Sequence, residues 1–315
     1  MAAFAGMREI EASYYDLVAI SGVEMIRNVD GQTASRHLGA AAHVGHEATA
    51  AIYPWVSLFS DIKEYYQERY GLQDEHLAAI AKVNYSNAQR TPNAQSRNWE
   101  MTNDHYTNNE KHNPIVEGCL RKSDCGRVSD GSATILLVSE KYAQAYANMH
   151  NISLDDIPFV KGWGYKTTPI TLAQKLESSY STSLPFPHLK GAIDDTFRRA
   201  GINEVSKLDA IETHDYFTVS EYTAIEHFCI TAPGEAWKAI ENDSITMTGR
   251  LPINPSGGLI GMGHPVGATG VRMLLDAYKQ VANKAGNYQV EDSSKIGILN
   301  IGGSFTTVVS FVIGK

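Results

Sequence analysis

Cysteine is scarce in this chain, and the few that occur are not spaced as pairs. Cys119, Cys125 and Cys229 form no CxxC motif and leave one thiol over, which argues against a disulfide-stabilised secreted domain. No apolar run is long enough to cross a bilayer, and no signal peptide is visible. We therefore expect a cytoplasmic protein without a membrane segment, whose three thiols are structural.

Positive charge is also in short supply. Lys and Arg total 27 against 35 Asp and Glu, which gives a net charge of −8. No Lys/Arg-rich patch appears, so a nucleic-acid partner is not expected, although an acidic protein can still bind an anionic ligand at a local site. The length of 315 residues allows one large domain or two ordinary ones.

A glycine-rich segment surrounds one histidine. Residues 254–270 read NPSGGLIGMGHPVGATG and are followed by an apolar-periodic run, Val271–Ala282, that predicts a helix. Glycine is needed where the backbone turns sharply or approaches a ligand closely, so this loop should keep bulk away from His264. The positive end of the following helix should face the same histidine. The pattern favours a general base at His264, and the alternative is a helix-capping histidine.

This segment resembles the GGxxxxGHPxGAxG signature of the thiolase family. Residues 212–218 (ETHDYFT) resemble the HDxF segment of the sterol-carrier-protein-type thiolases, and residues 299–304 (LNIGGS) resemble the terminal glycine-rich turn that reads CxGG in many thiolases. The three motifs occur in the family's order. The chain is thus identified as similar to the sterol-carrier-protein-type branch of the thiolase superfamily.

The resemblance implies an α/β fold with thiolase-like α-β-α-β-α layers and an inserted loop domain. Residues 1–27 and 129–150 would form a partial N-terminal domain, 28–128 the loop domain that grips coenzyme A, and 151–315 the C-terminal domain. The residue patterns predict the elements of these regions. They are a helix at Ala2–Tyr15, a buried parallel strand at Asp16–Glu24, helices near Ala48–Tyr70 and Asp74–Ala88, and a terminal hairpin of Lys295–Asn300 and Thr306–Ile313.

The nucleophilic cysteine of the family precedes the helix with which this chain begins, and no cysteine occurs before Cys119. We therefore expect the N-terminal half to be incomplete through truncation, with natural loss as the alternative.

The resemblance also assigns catalytic roles. His264 would be the base that also faces an oxyanion, and His214 stands where ordinary thiolases have the Asn that fixes a catalytic water. The Gly302 amide would belong to the second oxyanion hole. The alternatives are a surface histidine for His214 and a simple hairpin turn for Gly302. Tyr216 and Asn300 occupy the two positions where family members carry the acid/base cysteine, and Tyr216 is either an acid/base or a pocket-lining aromatic.

Further residues are expected to bind the substrate. Gly126 and Arg127 lie in a segment that runs beside the pantetheine arm in the family, and His46 would lie near the acyl pocket. The remaining candidates belong to the glycine-rich segment and are Ser256, Gly257 and Gly258. The spacing of His43, His46 and Glu47 resembles a metal pair, but no third ligand stands out, so no metal is expected.

Together these features predict an acyl-CoA acyltransferase that performs thiolytic cleavage or Claisen condensation. Coenzyme A thioester would be the substrate, with no separate cofactor. One alternative is a thiolase-fold retro-aldolase on CoA-linked side chains, which Tyr216 favours and the two retained histidines disfavour. The other is a non-catalytic CoA-binding subunit. A homodimer or tetramer is expected, with a small OB-fold companion protein as a further partner.

Overall fold

The computed structural model describes residues 1–43 and 45–315 and contains both helices and strands. The helices are α1 (Ala2–Glu11), α2 (Gly31–Gly39), α3 (Pro54–Tyr70), α4 (Asp74–Ala88), α5 (Glu140–His150), α6 (Leu172–Ser179), α7 (Pro187–Ala200), α8 (Thr218–His227), α9 (Ala236–Glu241), α10 (Gly258–Met262) and α11 (Val266–Val281). The strands are β1 (Leu17–Glu24), β2 (Ile115–Glu117), β3 (Leu120–Arg121), β4 (Gly131–Val138), β5 (Phe159–Thr167), β6 (Ala210–Thr213), β7 (Lys295–Gly302) and β8 (Thr307–Gly314).

The larger sheet has four strands in the order β5-β8-β7-β6. Strands β6 and β7 are parallel and are joined by a long helical connection, whereas β7 and β8 form the antiparallel terminal hairpin that the sequence predicts. The parallel register pairs Thr213 with Leu299, so His214, the first residue after β6, lies beside Asn300 of β7.

Strand β1 differs from its prediction as a buried parallel strand. It pairs with β4 in an antiparallel two-stranded sheet. Its side chains alternate, with Ile20 buried and Val23 71% exposed, so only one face of the strand is covered. An apolar run with glycine at its end does not reveal strand direction, and here the partner strand alone decides it.

A helical layer lies between the two sheets. Helix α11 contacts β1 and β4 on one side and β7, β8 and β6 on the other. Helix α1 belongs to the same layer, because the Phe4 ring stacks on Phe311 of β8 with centroids 4.9 Å apart while α1 also packs against β1. Helix α7 covers the outer face of β5 and β8. This arrangement is the layered α/β fold expected from the sequence.

Residues 28–128 form helices α2 to α4 and the short β2–β3 pair. Helix α4 packs against α8 and α10, which joins this region to the chain around the histidines. Helix α3 begins at Pro54, six residues later than predicted, because the residue before a proline favours an extended backbone and proline suits the first helical position. The boundaries of the three predicted domains stay predictions.

Among the helices of the described part, none combines the length and hydropathy that a transmembrane segment requires.

Candidate active site

Two histidines meet at a cavity of about 300 Å³ between the glycine turn after β7 and the start of α11. The rings of His214 and His264 are nearly perpendicular, with centroids 5.2 Å apart. The turn residues Gly302 and Gly303 border the same space. Side chains from the region of residues 28–128 form an apolar wall opposite, namely Leu38, Ala41, Trp55 and Phe59. The structure therefore brings together the four predicted catalytic residues, which are His214, His264, Gly302 and Tyr216.

His214 is held in one tautomer by its neighbour on the next strand. Its Nδ1 lies 2.9 Å from Asn300 Oδ1, so the ring donates through Nδ1 and leaves the Nε2 lone pair free. Burial lowers the pKa of His214 to about 4, although the Asn300 hydrogen bond opposes this shift. His214 is therefore a neutral imidazole at pH 7. Sequence reasoning noted Asn300 only as a replaced cysteine, but the parallel register of β6 and β7 could have predicted this pair.

His264 is fixed in the same way by a residue of its own motif. The Thr269 hydroxyl donates to the Pro265 carbonyl at 3.0 Å and accepts at 2.7 Å from Nδ1 of His264. Because the hydroxyl has one proton, His264 must be the donor, and its Nε2 is the free acceptor. Burial holds the pKa of His264 well below its ordinary value, and the nearby His214 and Arg272 add to the effect. His264 is only 5% exposed.

The loop before His264 needs glycine at one position above all. Gly263 has φ of +101°, a conformation that L side chains rarely adopt, and an added Cβ would lie 2.5 Å from Gln95 Cγ. Helix α11 then begins at Val266, five residues earlier than the apolar run predicts. Gly270 lies inside this helix, where a Cβ would come within 2.6 Å of the Asn300 amide nitrogen. Its small size makes room for the group that orients His214.

The other glycines of the segment serve packing elsewhere. A Cβ at Gly257 would meet Ala88 of α4, and one at Gly258 would meet the carboxylate of Asp215. The Ser256 hydroxyl donates to Glu212 at 2.7 Å. The expectation that these glycines clear space around His264 is therefore wrong for Gly257 and Gly258, which make room for α4 and for the Asp215 carboxylate. Ser256, Gly257 and Gly258 do not line the histidine cavity.

Tyr216 lies against His264, with ring centroids 4.6 Å apart. Burial raises the pKa of its phenol further above the ordinary value, and nearby Cys125 adds to this. Tyr216 can donate a hydrogen bond at pH 7 but is not a base. Gly126 is packed behind it: its N–H donates to the Tyr216 carbonyl at 2.6 Å, and a Cβ would lie 2.8 Å from the ring.

The remaining predicted binding residues lie away from the histidines. The Arg127 guanidinium stacks over the Trp99 ring at 5.2 Å and lines a second cavity of about 370 Å³ with Tyr85 and Lys122. The Arg127 carbonyl accepts from the His264 N–H at 2.9 Å, so one residue separates the two cavities. His46 is exposed, next to His43.

Acidic residues are buried beneath the site, which the sequence did not predict. Burial raises the pKa of Asp215 to about 6, and the backbone N–H groups of Leu259 and Ile260 at the start of α10, which donate to its carboxylate, oppose this shift. Asn84 donates to both Asp215 and Glu221, at 2.9 and 2.7 Å. Burial and the charge of Asp215 raise the pKa of Glu221. The network fixes the segment on either side of His214 and keeps one carboxyl protonated.

The three cysteines lie outside the histidine cavity. Burial raises the pKa of both Cys119 and Cys125, and Cys229 is exposed. Over the described residues, no group of three or more His, Cys, Asp or Glu side chains is placed to hold a metal ion.

Comparison with known proteins extends this description. A family model described as thiolase C-terminal domain-like matches residues 173–315. The acetyl-CoA acetyltransferase of Methanothermobacter thermautotrophicus is 28% identical over 311 residues, which span 98% of this chain and 76% of that protein.

Two solved structures share the fold. The Ltp2-ChsH2(DUF35) aldolase superposes with a TM-score of 0.75 at 19% identity, over 98% of this chain and 74% of that one. A monomeric SCP2-thiolase like protein type 1 from Mycobacterium smegmatis gives a TM-score of 0.68 at 13% identity, over 99% of this chain and 59% of that one. Residues 173–315 of this chain thus match the thiolase C-terminal domain-like model, and the whole chain is similar to an acetyl-CoA acetyltransferase and shares the fold of these two solved structures.

Proposed function

We propose that this chain is a thiolase-type acyl-CoA acyltransferase of the sterol-carrier-protein-like branch. One observation carries the proposal: two neutral imidazoles, each with a free Nε2, share a cavity with the turn Gly302–Gly303. The similarity to an acetyl-CoA acetyltransferase supports the same activity. The substrate is a coenzyme A thioester, and no separate cofactor is proposed.

The arrangement suits acyl transfer. A thiolate attacks the thioester carbon, a carbon–sulfur bond forms, and the carbonyl electrons move onto oxygen. The intermediate then expels the coenzyme A thiolate, which takes up a proton. His264 Nε2 accepts the proton of the attacking thiol, and the backbone amides of the turn donate to the oxyanion. A pKa that burial holds low in the free protein rises when an anion forms beside the ring, because opposite charge favours imidazolium.

The attacking thiol is none of the three cysteines of this chain. Met1, which precedes α1, lines the histidine cavity. A thiol presented at this end of α1 would face His264, and the positive end of a helix favours its thiolate form. The apolar wall of Trp55 and Phe59 receives the acyl chain, and Arg127 in the second cavity offers a positive charge to the anionic part of coenzyme A.

Recognition of the carbonyl group tests the proposal. Calorimetric titration compares acetyl-CoA with S-ethyl-CoA, a thioether that lacks the carbonyl oxygen. One hydrogen bond to that oxygen predicts about two- to tenfold tighter binding of the thioester. Equal affinities, or no saturable binding of acetyl-CoA, would contradict the proposal. Binding of both compounds with equal affinity would favour the non-catalytic CoA-binding subunit.

A retro-aldolase is the second candidate, favoured by the Tyr216 hydroxyl beside His264 and by the fold shared with an aldolase. In that reaction a base takes the β-hydroxyl proton and the bond between Cα and Cβ breaks. The electrons move to the thioester oxygen, and a phenol can then protonate Cα.

Tyr216 variants separate the two activities. In a protein that supplies the attacking thiol, the transferase proposal predicts that Tyr216→Phe keeps acyl transfer within roughly a few-fold. Tyr216→Cys should raise thiolytic activity there, because a thiol exchanges protons more readily than a phenol at neutral pH. If Tyr216→Phe abolishes cleavage of a β-hydroxyacyl-CoA and Tyr216→Cys shows no gain in thiolytic activity, the retro-aldolase proposal is favoured instead.

The proposal includes the oligomeric state and a companion protein. The SCP2-thiolase-like neighbour is a monomeric protein, whereas the resemblance predicts a homodimer or tetramer. The aldolase neighbour pairs the names Ltp2 and ChsH2(DUF35), and we propose a small companion protein here as well.

A further inference from the structure

A lysine of α6 is buried beside the glycine turn. Lys175 is 2% exposed, and its ammonium has three acceptors within hydrogen-bond distance. They are the Ser304 hydroxyl at 2.9 Å, the Thr306 hydroxyl at 2.8 Å and the Ile170 carbonyl at 3.1 Å. Three donors with three acceptors leave no proton of the ammonium unpaired. The proposed acyl-transfer chemistry gives this lysine no role.

The turn that Lys175 holds has an unfavourable backbone. Gly303 and Phe305 have φ of +65° and +60°, and the second is costly for a bulky side chain. The Phe305 ring stacks on Phe186 with centroids 4.5 Å apart, and its carbonyl lies 2.6 Å from His188 Nε2. Packing therefore fixes the middle of the turn. Lys175 fixes the residues on either side of Phe305.

Burying the Lys175 ammonium has a desolvation cost in free energy that a methionine side chain of similar length would not have. The charged or titratable groups that face it are Glu47 and His188. Glu47 favours the ammonium, but burial outweighs it and lowers the pKa of Lys175 to about 8. The ammonium makes directed bonds that an apolar side chain cannot make.

We infer that Lys175 is a positioning residue that holds the turn Gly302–Thr306 in the geometry with which its amides meet the substrate carbonyl. This inference rests on the proposed function. Lys175 does not touch the cavity and acts through the hydroxyls of Ser304 and Thr306.

Hydrogen exchange tests the positioning without any ligand. In Lys175→Met, amides of residues 302–306 should exchange about tenfold faster or more, while β7 and β8 keep their protection. Lys207→Met, at an exposed position, is the matched control and should change nothing. Unchanged exchange in the turn of a folded Lys175→Met protein would overturn the inference.

Two further measurements distinguish the loss of the Lys175 hydrogen bonds from a general destabilisation of the fold. Wild-type turn protection, corrected for intrinsic exchange, should fall between about pH 7 and about pH 9 as Lys175 loses its proton, and this step should be absent in Lys175→Met. If Lys175→Met does not fold, Thr306→Val removes one acceptor and should still speed exchange of the turn. A turn unaffected by pH in the wild type and by Thr306→Val would refute the positioning role.

The ligand comparison separates this inference from the proposed function. Lys175→Met should lose the preference for acetyl-CoA over S-ethyl-CoA while its affinity for the thioether stays within about twofold. Absence of the preference in the wild type contradicts the proposed function, while hydrogen exchange still decides whether Lys175 orders the turn. A preference that survives in Lys175→Met contradicts the inference alone.

Discussion

Replacing Asn300 with aspartate should turn His214 from a neutral into a titrating group near physiological pH. The change is nearly isosteric and places a carboxylate oxygen where Oδ1 now accepts from Nδ1 of His214 at 2.9 Å. An opposite charge at this distance shifts a pKa by about one to three pH units. The pKa of His214, held at about 4 by burial, should therefore rise in Asn300→Asp. Burial of the new carboxylate raises its own pKa and limits the gain.

The assay is a nitrogen-15 NMR titration of histidine-labelled protein, which reports the tautomer and the pKa of each ring. In the wild type, His214 and His264 should show Nδ1-protonated neutral rings at pH 7. In Asn300→Asp the His214 signals should titrate at a higher pH, whereas Asn203→Asp, at an exposed site, should leave them unchanged. An unchanged His214 titration in Asn300→Asp would refute the assigned contact.

Three other predictions concern stability and reactivity. Gly270→Ala should displace the Asn300 amide, so the NMR spectrum should no longer show a single His214 tautomer. The lost hydrogen bond lowers the free energy of unfolding by about 0.5–1.5 kcal/mol and the better helix propensity raises it by about 1 kcal/mol, so urea unfolding should show little net change. Because burial raises the pKa of Glu221, the folded state holds a proton that the unfolded chain loses, so the free energy of unfolding should fall as pH rises from about 5 to about 8. Glu221→Gln should weaken this pH dependence, and the control Glu9→Gln, at an exposed position, should not. Intact-mass spectrometry should find no acyl adduct on this chain after incubation with acetyl-CoA, since burial raises the pKa of Cys119 and Cys125; a stable adduct on any native thiol would overturn their structural assignment.

The order of elements was predictable where periodicity is strong. Helix α4 and the β7–β8 hairpin lie within two residues of their predicted bounds. Helix α8 was missed because all ten of its residues are buried and its polar residues are spread around the helix, so no apolar stripe marks a helical period. The start of α11 was misplaced because Gly267 and Gly270 look like helix breakers. Their contacts with Val23 and Asn300 explain why glycine occurs inside that helix.

The site was predictable from its motifs but not from its hydrogen bonds. His214, His264 and Gly302 were found through family resemblance and line one cavity. Asn300 and Thr269, which fix the two tautomers, depend on strand register and on the turn after His264. Arg127 follows a buried backbone segment whose side-chain direction the sequence does not specify. It therefore faces a neighbouring cavity rather than the histidines.

The central claim is that neutral His264 and the glycine turn act on a thioester carbonyl. It is tested most directly by exchange of the α-protons of acetoacetyl-CoA with deuterated water, followed by proton NMR, because this step needs a base and an oxyanion donor but no cysteine. The account predicts exchange above the buffer rate, lowered by about 10²–10⁴-fold in His264→Ala and unchanged in His150→Ala, which alters an exposed histidine. Exchange at the buffer rate in the wild type, or an undiminished rate in His264→Ala, would contradict it.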